Sequence, residues 1–361
     1  MKAYIAVIAL LLLIVSCNKT EPFTHEYDDT PYTLTYSSNL SDPNLPSDNP
    51  LTAEKISLGR MLFYDELLSS DGTVSCASCH LQENGFSDPN QFSFGVNDAV
   101  GGRQAMAIFN MAWNTNGFFW DGRAELLRHQ SILPIQDPLE MNETLPNVML
   151  KLASNQNYRN HFKRAFGSEE INPEKISFAL EAFMMSIISD DSKYDRYLLG
   201  TETLTDSEER GRELFFAEYN PFFPDESGAD CAHCHSGNNF ENDQYMNNGL
   251  DTDAMISDIG YEKVTNDAND KAKFKVTSLR NIEVTGPYMH DGRFTTLEEV
   301  IDHYNTGIQL SASVDPAIAN TESTGLMLDA QDKADLVNFL KTLTDNTYLN
   351  NEDYSDPGIR Y

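Results

Sequence analysis

Apolar residues recur at helical spacing in four stretches of the chain, and these predict the architecture. Thr52 to Phe63 and Asp206 to Glu218 each open on a residue that caps helices, threonine or aspartate. Pro173 to Ser189 is apolar along one helical face, and Asp332 to Leu343 reads as a closing helix. Strand patterns are sparse, so a mainly α fold is expected. One further apolar run stands apart. Met1-Lys2 is followed by apolar residues from Ala3 to Val15. That run is too short for a bilayer core of about 30 Å. One positive charge before it reads as a signal peptide. No later stretch is long and apolar enough for a transmembrane helix. Residues 18 to about 50 are rich in Asp, Ser, Thr, Asn and Pro, including Asp42-Pro43, Leu45-Pro46 and Asn49-Pro50. Such residues break helices, and a flexible tether over residues 17–50 is predicted.

The length of 361 residues leaves room for two ordinary domains or one large one. Lys and Arg total 25 against 56 Asp and Glu, a net charge of -31. That charge disfavours nonspecific binding to nucleic acid or to an anionic membrane surface, and it favours a basic partner. There are five cysteines: Cys17, Cys76, Cys79, Cys231 and Cys234. Cys17 ends Ile14-Val15-Ser16-Cys17, which resembles a bacterial lipoprotein box. Cleavage after residue 16 and lipidation of Cys17 follow from that resemblance; a multiply acylated cysteine would anchor stably where one chain does not. The alternative is ordinary cleavage with a free thiol.

The remaining four cysteines fall in Cys76-Ala77-Ser78-Cys79-His80 and Cys231-Ala232-His233-Cys234-His235. Both spell C-x-x-C-H, the spacing of covalent c-type haem attachment. Two thiols reach the two vinyl groups on one haem edge, and the adjacent histidine supplies an axial nitrogen to iron. A redox CxxC pair does not need the trailing His, and zinc gathers four ligands about one ion. Two covalently bound haems, on His80 and His235, are therefore predicted.

The surroundings of the motifs repeat. Gly59-Arg60-Met61-Leu62-Phe63-Tyr64 precedes the first and Gly211-Arg212-Glu213-Leu214-Phe215-Phe216 the second. Phe109-Asn110 leads to Phe119-Trp120-Asp121-Gly122-Arg123, as Arg280-Asn281 leads to Met289-His290-Asp291-Gly292-Arg293. Two copies of one haem-binding unit are expected, over residues 51–197 and 198–347, with a tail at 348–361.

Both motifs, Phe119 to Arg123, Gln130, Pro134-Ile135 with Glu140-Met141, and Pro287-Tyr288-Met289-His290-Asp291-Gly292 together resemble the bacterial di-haem cytochrome c peroxidases and their MauG relatives. The resemblance covers about residues 51 to 345. It implies two mostly helical cytochrome c-like domains with a calcium ion between them. It further implies peroxide reduction at the N-terminal haem, with electrons relayed by the C-terminal haem from a small donor such as a cytochrome c or cupredoxin. A homodimer is also implied.

By the same resemblance Glu140 is the catalytic carboxylate, and Gln130 the polar residue that orients peroxide. A carboxylate above the haem can move a proton from one peroxide oxygen to the other. Trp120 matches a tryptophan between the haems, where an indole could relay electrons; Trp113 is taken as core. Residues 81 to 128 contain no histidine, so the family's histidine cap on the first iron has no counterpart here. The position of the second iron's other ligand in the peroxidases, a methionine, holds Tyr304, as in the MauG branch. A capping box at Thr295 and Glu298 would place Leu297, Val300, Ile301 and Tyr304 on one helical face and turn His303 away. Met246, Met255 and Met289 are the alternatives. Methionine ligation raises a haem potential, whereas an anionic phenolate favours ferric or higher-valent iron. Calcium maps to Gln104, where the family has asparagine, and to the carbonyls of Thr285 and Pro287; amide and carbonyl oxygens suit this hard ion. His25, His129, His161 and His233 are taken as surface or core, and His290 as near the inter-haem region. The functional alternatives are a MauG-like oxidase, in which high-valent iron oxidises a protein or organic substrate, and a non-catalytic di-haem electron carrier.

Overall fold

The computed structural model describes residues 26–359, so the signal-like segment and Cys17 lie outside the described residues. Helices dominate. The two strands among the described residues, Tyr245–Met246 and Phe274–Lys275, pair antiparallel with Tyr245 opposite Lys275. Each half is organised about one helix pair: Ala53–Tyr64 packs on Pro173–Ser186, and Asp206–Phe216 packs on Ala330–Lys341.

These helices begin where side chains can satisfy their first N–H groups. The hydroxyl of Thr52 accepts from Lys55 N, and Asn172 accepts from Lys175 N just ahead of Pro173. The third cap is Thr205, one residue before the expected Asp206. Its hydroxyl accepts from Glu208 N while Glu208 accepts from Thr205 N, a reciprocal box. Asp329 and Asp332 form the same box on the closing helix.

The Gly-Arg repeat has a steric cause. A Cβ on Gly59 would lie 1.9 Å from the Ala179 carbonyl oxygen, and one on Gly211 would lie 1.9 Å from that of Asp335. Only glycine lets each helix pair close. Gly211→Ala is therefore expected to destabilise the protein by about 3 kcal/mol, the upper end of ordinary overpacking, because the obstacle is backbone. Thermal unfolding should show a midpoint lowered by roughly 2–4 °C for each kcal/mol lost.

Two apolar clusters result, one around Leu58, Leu62, Phe86 and Phe183, the other around Phe215, Phe240, Leu336 and Phe339. They divide between Ile188 and Tyr194, a few residues ahead of the expected boundary at 197. Asn110 and Asn281 occupy corresponding places. Both are left-handed, with φ of 52° and 59°. Asn110 N donates to Ile187 O and its Oδ1 accepts from Ser189 N; Asn281 N donates to Leu343 O and its Oδ1 accepts from Asp345 N. Asn281 Nδ2 then donates to Ser189 Oγ at 2.9 Å, tying the halves together. Beside this knot, Arg280 and Asp195 form a bidentate pair at 2.7 and 2.8 Å, each side chain 1% exposed.

The ends of the described chain differ from expectation. Residues 28–50, predicted as tether, pack along the globule. Asp28 N donates to Arg164 O, Asn39 Nδ2 to Asp195 O, and Asn44 N to Ala112 O. Asp48 holds Arg128 at 2.7 and 2.8 Å, while Leu34 and Leu40 are buried. The Asp, Asn and Pro that rule out helix here supply turn and cap hydrogen bonds instead. Trp113, expected as core, anchors this strap: its Nε1 donates to Ser41 O at 2.7 Å and its ring meets Tyr36 edge-on. The tail also returns. Tyr348 is buried against Phe86 and Phe109, and Arg60 donates to Ser355 O at 2.6 Å.

Candidate functional site

Each C-x-x-C-H motif forms a single tight turn. Cys79 N and His80 N both donate to Cys76 O, and Cys234 N and His235 N both donate to Cys231 O. The turn carries both thiols and the following imidazole together, as a ligand joined at two sulfurs and one nitrogen requires. His80 Nδ1 lies 2.9 Å from Phe86 O; His235 Nδ1 lies 3.2 Å from Phe240 O and 3.1 Å from Thr277 O. Only a protonated Nδ1 suits a carbonyl partner, so Nε2 keeps its lone pair for a metal. Burial holds both imidazoles below the usual histidine range, His235 at about 4, which keeps them neutral.

The four thiols are free. Burial pushes Cys76, Cys231 and Cys234 up to about 12 and Cys79 to about 11. A nucleophilic redox pair or zinc site would instead stabilise thiolate. No group of three or more His, Cys, Asp or Glu suited to a metal ion occurs among the described residues. A connected cavity of about 800 Å³ is lined by Cys79, His80, Cys231, Cys234 and His235. Free thiols, neutral imidazoles with available Nε2 and this cavity fit two covalently attached haems.

The short helices Leu127–Ser131 and Leu133–Gln136 lead into a turn where Glu140 N donates to Asp137 O and Met141 N to Pro134 O. Glu140 O accepts from Val96 N, and Gly95 lies so close that a Cβ there would meet Leu139 O at 2.2 Å. Glu140 and Gln130 both line the cavity, as do Phe119 and Arg123. Burial, aided by the Asp137 charge and opposed by Arg123, pushes the Glu140 carboxyl up to about 7. The Arg123 guanidinium sits 3.5 Å from the Phe119 ring centre and donates to Asp121 at 2.9 Å.

Trp120 lies where segments of both halves meet. Its Nε1 donates to Gln104 O and its carbonyl accepts from Lys275 N, each at 2.8 Å. Gln104 N donates to His290 O, and the His290 ring stacks on Phe274 with centres 3.6 Å apart. Gln104, Thr285 and Pro287 line the same cavity. Gln104 Nε2 donates to Ser87 Oγ and Asp88 O.

Leu297, Val300, Ile301 and Tyr304 all line the cavity, as the helical face predicts. The cap is one residue later than expected: Thr296 and Glu299 form the box, because the Glu299 carboxylate takes the N–H groups of both Thr295 and Thr296. His303 turns away, its Nε2 2.9 Å from Asn248 O. Tyr304 lies just inside a wider π turn, His303–Gly307, and burial pushes its phenol up to about 12. Of the alternatives, Met255 is 66% exposed, whereas Met246 and Met289 line the cavity.

Comparison with known proteins agrees with this geometry. The family model described as di-haem cytochrome c peroxidase matches residues 53–203. The methylamine utilization protein MauG of Methylorubrum extorquens is 36% identical over 302 residues, 82% of this chain and 80% of that protein. The chain belongs to the di-haem cytochrome c peroxidase and MauG family. Cytochrome c551 peroxidase of Nitrosomonas europaea is 33% identical over 297 residues, 82% of this chain and 81% of that protein. A crystal structure of a MauG-like protein associated with microbial copper homeostasis superposes with a TM-score of 0.82 and 35% identity, covering 90% of this chain and 99% of that one.

Family membership implies two c-type haems, in agreement with the two turns and the cavity between them. The relatives carry both peroxidase and MauG names, so the family alone does not choose between the reactions. Within this di-haem fold, the candidate residues Gln104, Trp120, Gln130, Glu140, Thr285, Pro287 and Tyr304 are brought to one cavity. His129 and His233 are exposed and His161 is buried; His25 lies outside the described residues. Sequence reasoning missed Arg123 as a neighbour of Glu140, and it missed Glu241, a second half-buried carboxyl on the cavity wall. Glu241 carries no local signal, and Arg123, although part of the Phe119 to Arg123 motif, carries none for its place beside Glu140.

Proposed function

We propose that the protein reduces hydrogen peroxide to water at the N-terminal haem, with electrons delivered through the C-terminal haem. The observation that carries this reading is a carboxyl poised near neutrality, Glu140, sharing the cavity with Gln130 and His80. Bound haem iron would supply the redox chemistry that splits the O–O bond. The protein's part is positional and acid–base. Glu140 takes the proton from one peroxide oxygen and returns it to the other, so that the departing oxygen leaves as water. The Gln130 amide orients the peroxide. His80, held at Nδ1 by the Phe86 carbonyl, would offer Nε2 to the iron. Two electrons and two protons enter for each peroxide converted to two waters.

A second reading, a MauG-like oxidase acting on a protein or organic substrate, is favoured by one observation. Tyr304 lines the cavity near the second motif, with Cys231 and Cys234 close enough to influence its phenol. A phenolate there would disfavour reduction by an ordinary cytochrome c. Adding peroxide to the haem-loaded protein tests both. Steady turnover with a reduced cytochrome c or cupredoxin supports the peroxidase. Slow turnover with such donors, and a long-lived optical change discharged by an organic reductant, supports the oxidase. No reaction with peroxide would leave an electron carrier.

Several finer elements belong to the same proposal. The matched glycines and asparagines support two duplicated cytochrome c-like units, meeting between Ile188 and Tyr194. Gln104 with the carbonyls of Thr285 and Pro287 would hold Ca2+, and Trp120 would relay electrons between the haems. The protein would face the periplasm of a bacterial envelope, anchored by lipid on Cys17, and pair as a homodimer. No helix among the described residues is long and apolar enough to cross a membrane.

A further inference from the structure

Glu241 plays no part in the chemistry above, yet it lines the cavity, on the loop that follows the second motif. It follows Phe240, whose carbonyl lies against His235 Nδ1. Its hydrogen bond comes from Asn239 Nδ2 at 2.5 Å, and Asn239 Oδ1 accepts from Asn110 Nδ2 at 3.0 Å. A chain of amides therefore runs from the first half of the molecule to this carboxyl. The charged groups that face it are Asp243, on the same loop, and Lys275, on the strand Phe274–Lys275. Lys275 does not pair with it, because its ammonium is committed to the Asp243 carboxylate and the Asn116 carbonyl. Burial pushes the Glu241 carboxyl up to about 7, with Asp243 adding to the push and the Asn239 bond and Lys275 opposing it.

We propose that Glu241 is the proton-storing group of the C-terminal haem site, gaining one proton when the haem beside it gains one electron and releasing that proton when the electron leaves. This rests on haem attachment at Cys231, Cys234 and His235. The charges balance: a carboxylate and a proton from bulk water become a neutral carboxyl, offsetting the negative charge that arrives with the electron. The physical cause is the low dielectric of the cavity wall, where an added unit charge acts strongly on a neighbouring ionisable group. The amide chain places the carboxyl without a permanent countercharge, so that it remains free to titrate.

The test is a spectroelectrochemical titration of the C-terminal haem in the haem-loaded protein, over about two pH units either side of neutrality. The reduction equilibrium constant should fall several-fold per pH unit near pH 7, with a limit of about tenfold for one proton per electron. Glu241→Gln should remove most of that dependence while leaving haem content and the N-terminal haem's titration unchanged. A pH-independent wild-type potential, or a dependence that survives intact in Glu241→Gln, overturns the proposal. Should Glu241→Gln fail to fold, Asp243→Asn decides. It removes the like charge and releases Lys275, and must shift the pH-dependent region lower; an unmoved region overturns the proposal. A protein mass showing one haem per chain would defeat the two-haem reading itself, and Glu241's role with it.

Discussion

Glu140→Gln is expected to slow peroxide consumption by about 10²–10⁴-fold, the range associated with a positioned general acid–base. Glutamine keeps the volume and a polar tip, and the turn beneath it is made by backbone bonds from Glu140 N to Asp137 O and from Val96 N to Glu140 O. Fold and haem content should therefore survive, and the loss should be chemical. The pH profile gives a second check. The carboxyl is held near 7, chiefly by burial. Below that value it keeps its proton and cannot accept another. Thus kcat/KM for peroxide should rise with pH through about 7 in the wild type, and this limb should vanish in Glu140→Gln. Asp137→Asn removes a charge that disfavours ionisation of Glu140, and should move the limb to lower pH. Full turnover by Glu140→Gln would remove Glu140 from the mechanism.

Tyr304→Met should raise the potential of the C-terminal haem by a few tenths of a volt, within the roughly 0.8 V that axial ligands span. A thioether stabilises reduced iron, whereas an anionic phenolate stabilises the oxidised state. Burial pushes the Tyr304 phenol up to about 12 in the protein alone, so ionisation would require the iron's charge. The variant should also accept electrons faster from a reduced cytochrome, shifting the balance from oxidase to peroxidase behaviour. Potentiometry with optical detection measures the first effect and stopped-flow mixing the second. An unchanged potential would pass the ligand role to Met246 or Met289, which line the same cavity.

Much of the site was legible because its logic is local. Tyr304 rather than His303 reaches the cavity because residues at helical spacing share a face, and the four-residue stripe from Leu297 carried that prediction even though its cap was placed one residue early. The Gly-Arg repeat was visible as a pattern, but its meaning was not: glycine is required by the carbonyls of Ala179 and Asp335, which lie over a hundred residues away along the chain. The strap was misread for a related reason. Its Asp, Asn and Pro exclude a helix, yet composition does not distinguish a solvated tether from an irregular segment whose polar groups find partners such as Arg164, Ala112 and Asp195.

The sequence by itself pointed to two c-type haems, because two thiols and an imidazole within five consecutive residues need only one turn to act together. It also determined the mainly helical fold, through periodicity and caps. Only the tertiary structure decided the raised proton affinity of Glu140 and Glu241, the confinement of Lys275, and the joining of the halves through Asn281 and Arg280. A carboxyl's affinity for its proton depends on which atoms exclude water and which charges remain nearby, and those atoms come from distant parts of the chain.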